Sequence, residues 1–176
     1  MKAHDSHREA APKKLGFYVV TVSSSRYAKK ERGRRFRDES GDLAEKIIEK
    51  AGHTVVGREL ISDERPMLEA SVEKAVNDGE VDVVVFTGGT GVSPRDVTVE
   101  ALRPRFEKEL DGFGELLRAI SYAKMGTPAM LTRATAGLIK GKLVILLPGS
   151  PDAVETGLNL FMSDIPHVVY IARKSP

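Results

Sequence analysis

The chain has 176 residues, with 27 lysines and arginines against 25 aspartates and glutamates, and no cysteine. This length is typical of one domain, and a content of 41% hydrophobic and 30% charged residues excludes disordered and fibrous classes. The missing cysteine excludes disulfides, thiolate metal sites and a cysteine nucleophile. It is compatible with the cytoplasmic location that we expect.

The small net charge of +2 conceals an uneven distribution along the chain. Residues 26–37 carry a net charge of +6, residues 1–14 carry +2, and all other residues together carry −6. We expect residues 1–14 to form a flexible tail and residues 26–37 to form a loop. Such a basic run is a solvated loop, a nucleic-acid patch or a clamp for a phosphorylated ligand, and the charge count leaves these three open.

From residue 15 onwards, buried strands alternate with amphipathic helices. The first half of the pattern predicts a strand at 15–22, the basic loop, a helix at 43–51, a strand at 55–61, a helix at 68–79 and a strand at 81–86. The second half predicts helices at 97–102 and near 113–120, strands at 130–136 and 143–147 joined by a connection at 137–142, and helices at 151–162 and 165–172. No apolar stretch approaches the ~20 residues that span a bilayer.

This alternation predicts a single α/β domain over residues 15–176, a three-layer α/β/α sandwich around a mostly parallel central sheet. Polar or glycine-rich segments follow four predicted strands. They are Ser23-Ser24-Ser25, Ser62-Asp63-Glu64, Thr87-Gly88-Gly89-Thr90-Gly91 and Pro148-Gly149-Ser150-Pro151. Because ligands of open α/β sheets bind beyond the carboxyl ends of the strands, this layout predicts a phosphate- or nucleotide-binding crevice.

The segment from Thr87 to Gly91 is the centre of this prediction. Glycines allow the backbone to approach a ligand closely and to turn amide groups towards an anion, and the helix near Val97 would add its positive end. The segment is neither a Walker A loop nor the dinucleotide GxGxxG motif. The alternative is an ordinary tight turn with Asp96 as a helix cap.

Two carboxylates accompany the glycines. Asp63 and Asp96 both follow predicted strands, and together they are credible ligands for Mg²⁺, although each alone is more commonly a cap or turn residue. Pro148, Gly149 and Ser150 open a helix that could bind a second anion, or they form a simple strand-to-helix turn. Ser40 either helps to cap a helix or bonds to a bound phosphate or base. Glu115 either faces the substrate or is a solvated residue on a helix.

Six segments in this order resemble the MogA/MoaB family of molybdenum-cofactor biosynthesis proteins, which includes the G domain of gephyrin. They are Asp38-Glu39-Ser40-Gly41, Ser62-Asp63-Glu64, Thr87-Gly88-Gly89-Thr90-Gly91, Arg95-Asp96-Val97-Thr98, Gly112-Phe113-Gly114-Glu115 and Pro148-Gly149-Ser150-Pro151. The Ala-Gly-His sequence at 51–53 and the short chain are more similar to MoaB than to MogA.

The resemblance implies a molybdopterin adenylyltransferase, which transfers AMP from Mg-ATP to the terminal phosphate of molybdopterin and releases pyrophosphate. It implies that Asp63 and Asp96 are the catalytic, Mg²⁺-binding carboxylates. The nucleotide and its phosphates would lie against Thr87, Gly88, Gly89, Thr90, Gly91, Pro148, Gly149 and Ser150. Substrate contacts would come from Ser23, Ser40, Gly41, Arg95, Thr98, Glu115 and Arg133.

The resemblance also implies a homo-oligomer, with a hexamer favoured over a trimer. The alternative function is a molybdopterin- or nucleotide-binding carrier or scaffold of the same pathway that does not catalyse adenylylation. Binding of nucleic acid through residues 26–37 is a third hypothesis, which is disfavoured because the rest of the chain is net acidic and the segment holds only Tyr27 and Phe36 as aromatics.

Overall fold

One six-stranded sheet organises the protein, which a computed structural model describes over residues 10–174. The strands are β1 (Gly16–Val22), β2 (Thr54–Ile61), β3 (Val83–Thr87), β4 (Lys108–Glu109), β5 (Thr135–Ile139) and β6 (Lys142–Leu147). The α-helices are α1 (Ser24–Glu31), α2 (Glu39–Lys50), α3 (Arg65–Asn77), α4 (Thr98–Leu102), α5 (Asp111–Met125), α6 (Pro151–Phe161) and α7 (Ile165–Arg173). Short 3₁₀ helices cover Arg103–Arg105 and Thr127–Leu131.

Four parallel strands form the centre of the sheet, in the order β2-β1-β3-β6. At the other edge, β5 pairs antiparallel with β6, and β4 pairs antiparallel with β5. The chain leaves β1 towards β2 on one side and later returns to place β3 on the other side of β1. The sheet therefore has a topological switch point between β1 and β3, where a crevice opens beyond the strand ends.

Helices cover both faces of the sheet, because the parallel strands are apolar on both sides. Alternate side chains of β1 such as Phe17 and Val19 face one core, which is closed by α2, α5, α6 and α7. Their neighbours Tyr18 and Val20 face a second core, which is closed by α3 and α4. This confirms the predicted three-layer α/β/α sandwich with a mostly parallel sheet.

The basic segment differs from the predicted loop, because its first part is helical. Helix α1 begins after Ser23, whose side chain accepts a hydrogen bond from the amide of Arg26, at 3.4 Å. Alanine, lysine and glutamate at positions 28–31 are strong helix formers, so a polar, solvated helix forms without any buried residue. Only the part after Arg32 is irregular.

The predicted strand at 130–136 and connection at 137–142 are also wrong. A 3₁₀ helix occupies residues 127–131, and β5 continues through Gly137 to Ile139. A Cβ atom on Gly137 would lie 2.3 Å from the Phe106 ring, so the glycine allows Phe106 to pack against the strand and does not end it. The turn to β6 consists of Lys140 and Gly141, both with positive φ, as in a two-residue hairpin.

The predicted tail, residues 1–14, lies largely outside the described residues. Within residues 10–174, no helix combines the length and hydropathy that crossing a membrane requires.

His53 links the start of β1 to the start of β2. Its Nδ1 accepts a hydrogen bond from the Leu15 amide at 3.3 Å, and its ring stacks on Phe17 with 5.4 Å between centroids. Burial lowers the pKa of His53, and the nearby Asp82 carboxylate opposes this effect only in part. The folded protein therefore holds a neutral imidazole, which the unfolded chain protonates more readily.

We expect the free energy of unfolding to decrease as the pH falls below about 6.5, because the unfolded state then binds a proton that the buried His53 does not. The slope from this one group is at most about 1.4 kcal/mol per pH unit. His53→Asn retains a hydrogen-bond acceptor but does not titrate, so its urea unfolding between pH 7.5 and pH 5 should show a shallower slope. If the free energy of unfolding changes equally with pH in both proteins, groups other than His53 cause the pH dependence.

Candidate active site

The ends of β3 and β6 are joined tightly at the carboxyl edge of the sheet. The Gly88 amide donates to the Leu147 carbonyl at 2.9 Å, and the Thr87 hydroxyl donates to the Pro148 carbonyl at 3.0 Å. A Cβ atom on Gly149 would lie 3.1 Å from the Cα of Gly88. The turns after the two strands therefore touch, and they form the floor of a crevice.

Gly88 and Gly89 must be glycines at this point. Their φ angles are +115° and +66°, which other residues rarely adopt. A Cβ atom on Gly88 would lie 2.2 Å from the Val22 carbonyl oxygen, and one on Gly89 would lie 2.3 Å from the Thr98 hydroxyl. The glycine-rich loop, residues 88–97, thus passes directly over the end of β1, at the switch point.

Two of the predicted substrate residues have hydroxyls that hold the crevice walls. The Thr98 hydroxyl donates to the Gly88 carbonyl at 2.9 Å, and the Ser40 hydroxyl donates to the Gly149 carbonyl at 2.7 Å. Both side chains are fully buried. Gly41, in the first turn of α2, donates its amide to the Asp38 carboxylate at 3.2 Å. These contacts fix the loop and the turn against α2 and α4.

Of the two predicted anion-binding helix starts, that of α6 is capped by a serine, whereas α4 begins after Val97 without a side-chain cap. The Ser150 hydroxyl accepts from the Ala153 amide at 3.3 Å at the start of α6, as Ser23 does at the start of α1. Ser23 lines the crevice together with Pro148 and Gly149. Helices α1 and α6 therefore begin at the crevice and direct their positive ends towards it.

The two predicted carboxylates occupy different positions. Asp96 lines the crevice, and its Oδ2 accepts a hydrogen bond from the Ser93 amide at 3.0 Å across the loop. Asp63 follows β2, accepts from the Ser62 hydroxyl at 3.3 Å, and lies 3.5 Å from the Arg95 guanidinium. Arg95 thus connects the loop that carries Asp96 to the end of β2 that carries Asp63.

This donor set is compatible with Mg²⁺. Within residues 10–174, no three acidic or histidine side chains come together in a cluster that could bind a metal on its own. Mg²⁺ is commonly held by one or two carboxylates together with substrate phosphates and water. Asp96 in the crevice and Asp63 beside it are the carboxylates that could hold such a metal together with a phosphorylated substrate.

Arg133 braces the glycine-rich loop from its far side. Its Nε donates to the carbonyls of Thr90 and Gly91 at 3.3 Å and 3.0 Å, and its Nη2 donates to the Asp96 carbonyl at 3.2 Å. Its guanidinium also forms an ion pair with Glu100 of α4. The hydrogen bond from Arg133 lowers the pKa of Glu100, and the same bond raises the pKa of Arg133. No sequence motif indicated Glu100.

Two cavities adjoin at Thr132. The crevice has a volume of about 480 Å³, and its lining includes Arg26, Gly88 to Gly91, Asp96 and Thr132. A second cavity of about 650 Å³ lies between α4, α5 and the segment before β5, and its lining includes Glu115, Arg118, Thr132 and Arg133.

Thr132 lines both cavities. Within the described part of the chain, its Oγ1 is the one buried side-chain nitrogen or oxygen without a hydrogen-bond partner. A buried hydroxyl without a partner is costly, so it needs either a water molecule or a bound ligand as its partner. Sequence analysis missed Thr132, because the signal appears only when its surroundings are known.

The structure therefore brings most of the predicted residues to one edge of the sheet. The crevice is formed by Gly88 to Gly91, Asp96, Pro148, Gly149 and Ser23. Ser150 caps the adjoining helix α6, Thr98, Ser40 and Gly41 support the walls, and Asp63 and Arg95 lie beside the crevice. Glu115 is separate from the crevice and lies in the adjoining cavity.

A family of probable molybdopterin-binding domains matches residues 18–167. The chain belongs to this family. It is 43% identical to the molybdopterin adenylyltransferase of Pyrococcus furiosus, over 97% of this chain and 98% of the relative. It is also 43% identical to the probable molybdopterin adenylyltransferase of Methanocaldococcus jannaschii, over 89% and 93% of the two chains.

A solved structure shares the fold. The tungsten-cofactor-synthesising protein MoaB from Pyrococcus furiosus superposes with a TM-score of 0.82 at 40% identity, over 93% of this chain and all of that chain. This similarity confirms the resemblance to MoaB and MogA proteins on which the site residues were predicted.

Proposed function

We propose that this protein is a molybdopterin adenylyltransferase, which transfers AMP from ATP to the terminal phosphate of molybdopterin and releases pyrophosphate. The observation that carries the proposal is the pair of adjoining cavities, which share Thr132 in their linings. A nucleotide fits the crevice over the glycine-rich loop, and a second substrate fits the cavity beside it. Near-full-length relatives named molybdopterin adenylyltransferases support the same reaction.

In this reaction an oxygen of the molybdopterin phosphate attacks the α-phosphorus of ATP. The new bond joins this oxygen to the α-phosphorus, and the bond from the α-phosphorus to the bridging oxygen breaks, so that pyrophosphate leaves with the bond's electrons. Both reactants are anionic, so the protein's task is to position them and to neutralise charge.

We assign these tasks to residues at the crevice and in the adjoining cavity. Amides of the glycine-rich loop and the turn from Pro148 to Ser150, with the starts of α1 and α6, hold the phosphates. Asp63 and Asp96 would hold Mg²⁺, which neutralises phosphate charge when bound. Ser23 and Arg95 contact the nucleotide side, and Glu115 and Arg133 contact molybdopterin. Ser40, Gly41 and Thr98 support the substrate contacts from the walls.

The alternative is a carrier that binds molybdopterin or nucleotide without catalysis. The two functions differ in one product, because only the enzyme releases pyrophosphate from ATP when molybdopterin is present. A crystal soaked with Mg-ATP and molybdopterin tests the site itself. We expect the nucleotide over the glycine-rich loop and the pterin in the adjoining cavity, and density elsewhere would refute the assignment.

We further propose that residues 15–176 form the catalytic domain and that the protein is cytoplasmic.

We expect Asp96→Asn to reduce adenylylation by about 10²-fold or more, because one charged group that neutralises the transition state is lost. The asparagine oxygen can still accept the hydrogen bond from the Ser93 amide, so the loop should keep its shape. Pyrophosphate release under saturating Mg-ATP measures the effect.

The matched control is Asp78→Asn. The Asp78 carboxylate also accepts a backbone amide, that of Glu80 at 2.9 Å, but it lies before β3 and away from the crevice. This variant should retain wild-type turnover. Near-normal turnover in Asp96→Asn would remove Asp96 from the mechanism.

We expect Thr132→Val to reduce adenylylation about tenfold, which is the scale of one lost hydrogen bond of about 1.4 kcal/mol. The same variant should be at least as stable as the wild type in urea unfolding, because it removes a buried hydroxyl that has no partner. Thr132→Ser retains the hydroxyl and should retain most of the activity. Equal activity of the valine and threonine proteins would contradict a ligand contact at Oγ1.

We propose that the protein is a homo-oligomer, with a hexamer favoured over a trimer. Four large apolar side chains are exposed at the end of α5 and in the following 3₁₀ helix, namely Tyr122, Met125, Met130 and Leu131. Exposed apolar residues grouped in this way are typical of subunit interfaces. Light scattering should give a multiple of the 19.2 kDa chain mass, and Met130→Asp should lower it. A monomeric wild-type protein would contradict the proposal.

A further inference from the structure

The basic segment, residues 26–37, begins and ends at the crevice. Helix α1 carries the chain away from the end of β1, and Gly33, with φ of +63°, turns it back towards Asp38 at the start of α2. Both ends are fastened. The Ser23 amide donates to the Ile61 carbonyl at 2.9 Å, and the Thr21 hydroxyl donates to the Asp38 carboxylate at 2.8 Å. The segment is therefore a helix and a returning loop whose two ends are both held by hydrogen bonds to the sheet.

Each end reaches the crevice through a named residue. Arg26, in the first turn of α1, lines the crevice together with the glycine-rich loop. Ser40, two residues beyond Asp38, donates to the Gly149 carbonyl in the crevice wall. Arg26 thus lies beside the place where phosphates are proposed to bind, and the rest of the segment joins it to Asp38.

The cations of the segment have no acidic partners within the described residues. None of them forms an ion pair with a carboxylate of residues 10–174: Arg26, Lys29, Lys30, Arg32, Arg34, Arg35 and Arg37. Three of the acids after the returning end are engaged elsewhere, because Arg58 pairs with Asp38, Asp42 and Glu45 at 2.7–3.0 Å.

The crevice itself is short of available positive charge. Arg95 and Arg133, which the proposed function assigns to substrate contacts, are absent from its lining, and each also lies against a carboxylate, that of Asp63 or Glu100. Arg26 is the one cationic side chain in the described lining of the crevice, and Asp96 there is negative. Beyond Arg95 and Arg133, a ligand with several negative charges therefore finds its nearest cations without a carboxylate partner on the basic segment.

We propose that the basic segment is a polyphosphate-binding surface. Arg26 contacts the β- and γ-phosphates of the nucleotide, and the outer arginines Arg32, Arg34 and Arg35 draw the polyphosphate towards the crevice. The identity of the polyphosphate as ATP rests on the proposed adenylyl transfer, but the binding of the anion does not.

The two parts of the segment act over different distances. A concentration of like charge beside a cleft can raise association rates 10- to 10³-fold, and this effect falls steeply with ionic strength. Charges farther from the ligand than the Debye length of about 10 Å at 0.1 M salt are largely screened. The contribution of the outer arginines should thus disappear in high salt, whereas a direct contact from Arg26 should persist.

Calorimetry with tripolyphosphate tests the surface without requiring catalysis. At low ionic strength, the triple variant R32Q/R34Q/R35Q should bind tripolyphosphate about tenfold more weakly than the wild type, and the difference should vanish near 0.5 M salt. Arg26→Gln should weaken binding about tenfold in both conditions, and Arg26→Lys should restore part of it.

The control is the triple variant K46Q/K50Q/K108Q. It removes the same net charge from three exposed lysines outside the basic segment and the crevice lining. Its tripolyphosphate affinity should remain within about twofold of the wild type. An equal loss in both triple variants would show an effect of net charge alone, and it would overturn the proposal.

A kinetic experiment distinguishes the polyphosphate-binding surface from the proposed adenylyltransferase function. In the adenylylation assay, kcat/KM for ATP should depend less on salt in R32Q/R34Q/R35Q than in the wild type. Wild-type protein that binds tripolyphosphate through the segment but adenylylates nothing would refute only the enzyme assignment. Active protein whose tripolyphosphate affinity is unchanged in R32Q/R34Q/R35Q and in Arg26→Gln would refute only the polyphosphate surface.

Nucleic acid is the remaining polyanion to test. A short DNA duplex should bind no more tightly than tripolyphosphate at 0.15 M salt. Much tighter binding of the duplex, with a steep dependence on salt that the R32Q/R34Q/R35Q variant loses, would assign the segment to nucleic acid and overturn the proposal.

Discussion

The crevice depends on the close contact between the turns that follow β3 and β6. Two hydrogen bonds join these turns, one from the Gly88 amide to the Leu147 carbonyl and one from the Thr87 hydroxyl to the Pro148 carbonyl. The contact requires glycine at position 88, since a Cβ atom there would lie 2.2 Å from the carbonyl oxygen of Val22 on β1. Three strand ends thus meet with almost no side chain between them, and backbone groups become available to a ligand.

Electrostatic pairing decides which charges remain for substrates. Arg133 holds the glycine-rich loop and pairs with Glu100, and Arg58 pairs with the acids at the start of α2. Asp96 inside the crevice and the basic segment at its border have no oppositely charged side-chain partner within residues 10–174. This division suits a reaction between two phosphates, in which a metal-binding carboxylate and separate cations must not neutralise each other.

Much of the fold could be predicted, because buried parallel strands are apolar on both faces and leave a strong signal in the sequence. The prediction failed where a local signal has two meanings. Gly137 suggested a break but accommodates Phe106 within β5, and the charges after Ser23 suggested a loop but form a capped helix. Most of the site residues were predicted from motifs. The folded structure was needed to identify Thr132 and Glu100 and to place Arg26 at the crevice.

The sequence by itself determined the three-layer class, the membership in the molybdopterin-binding family and the polar segments at four strand ends, because these depend on periodicity and on short motifs. The charge count also isolated the basic segment, since charge is a property of composition. Only the tertiary structure decided the neighbours of each group. It turned the hydroxyls of Ser40 and Thr98 towards the walls, left that of Thr132 without a partner, and fastened the basic segment at both ends beside the crevice. Hydrogen bonds and ion pairs between distant residues arise only when the chain is folded, so no local pattern encodes them.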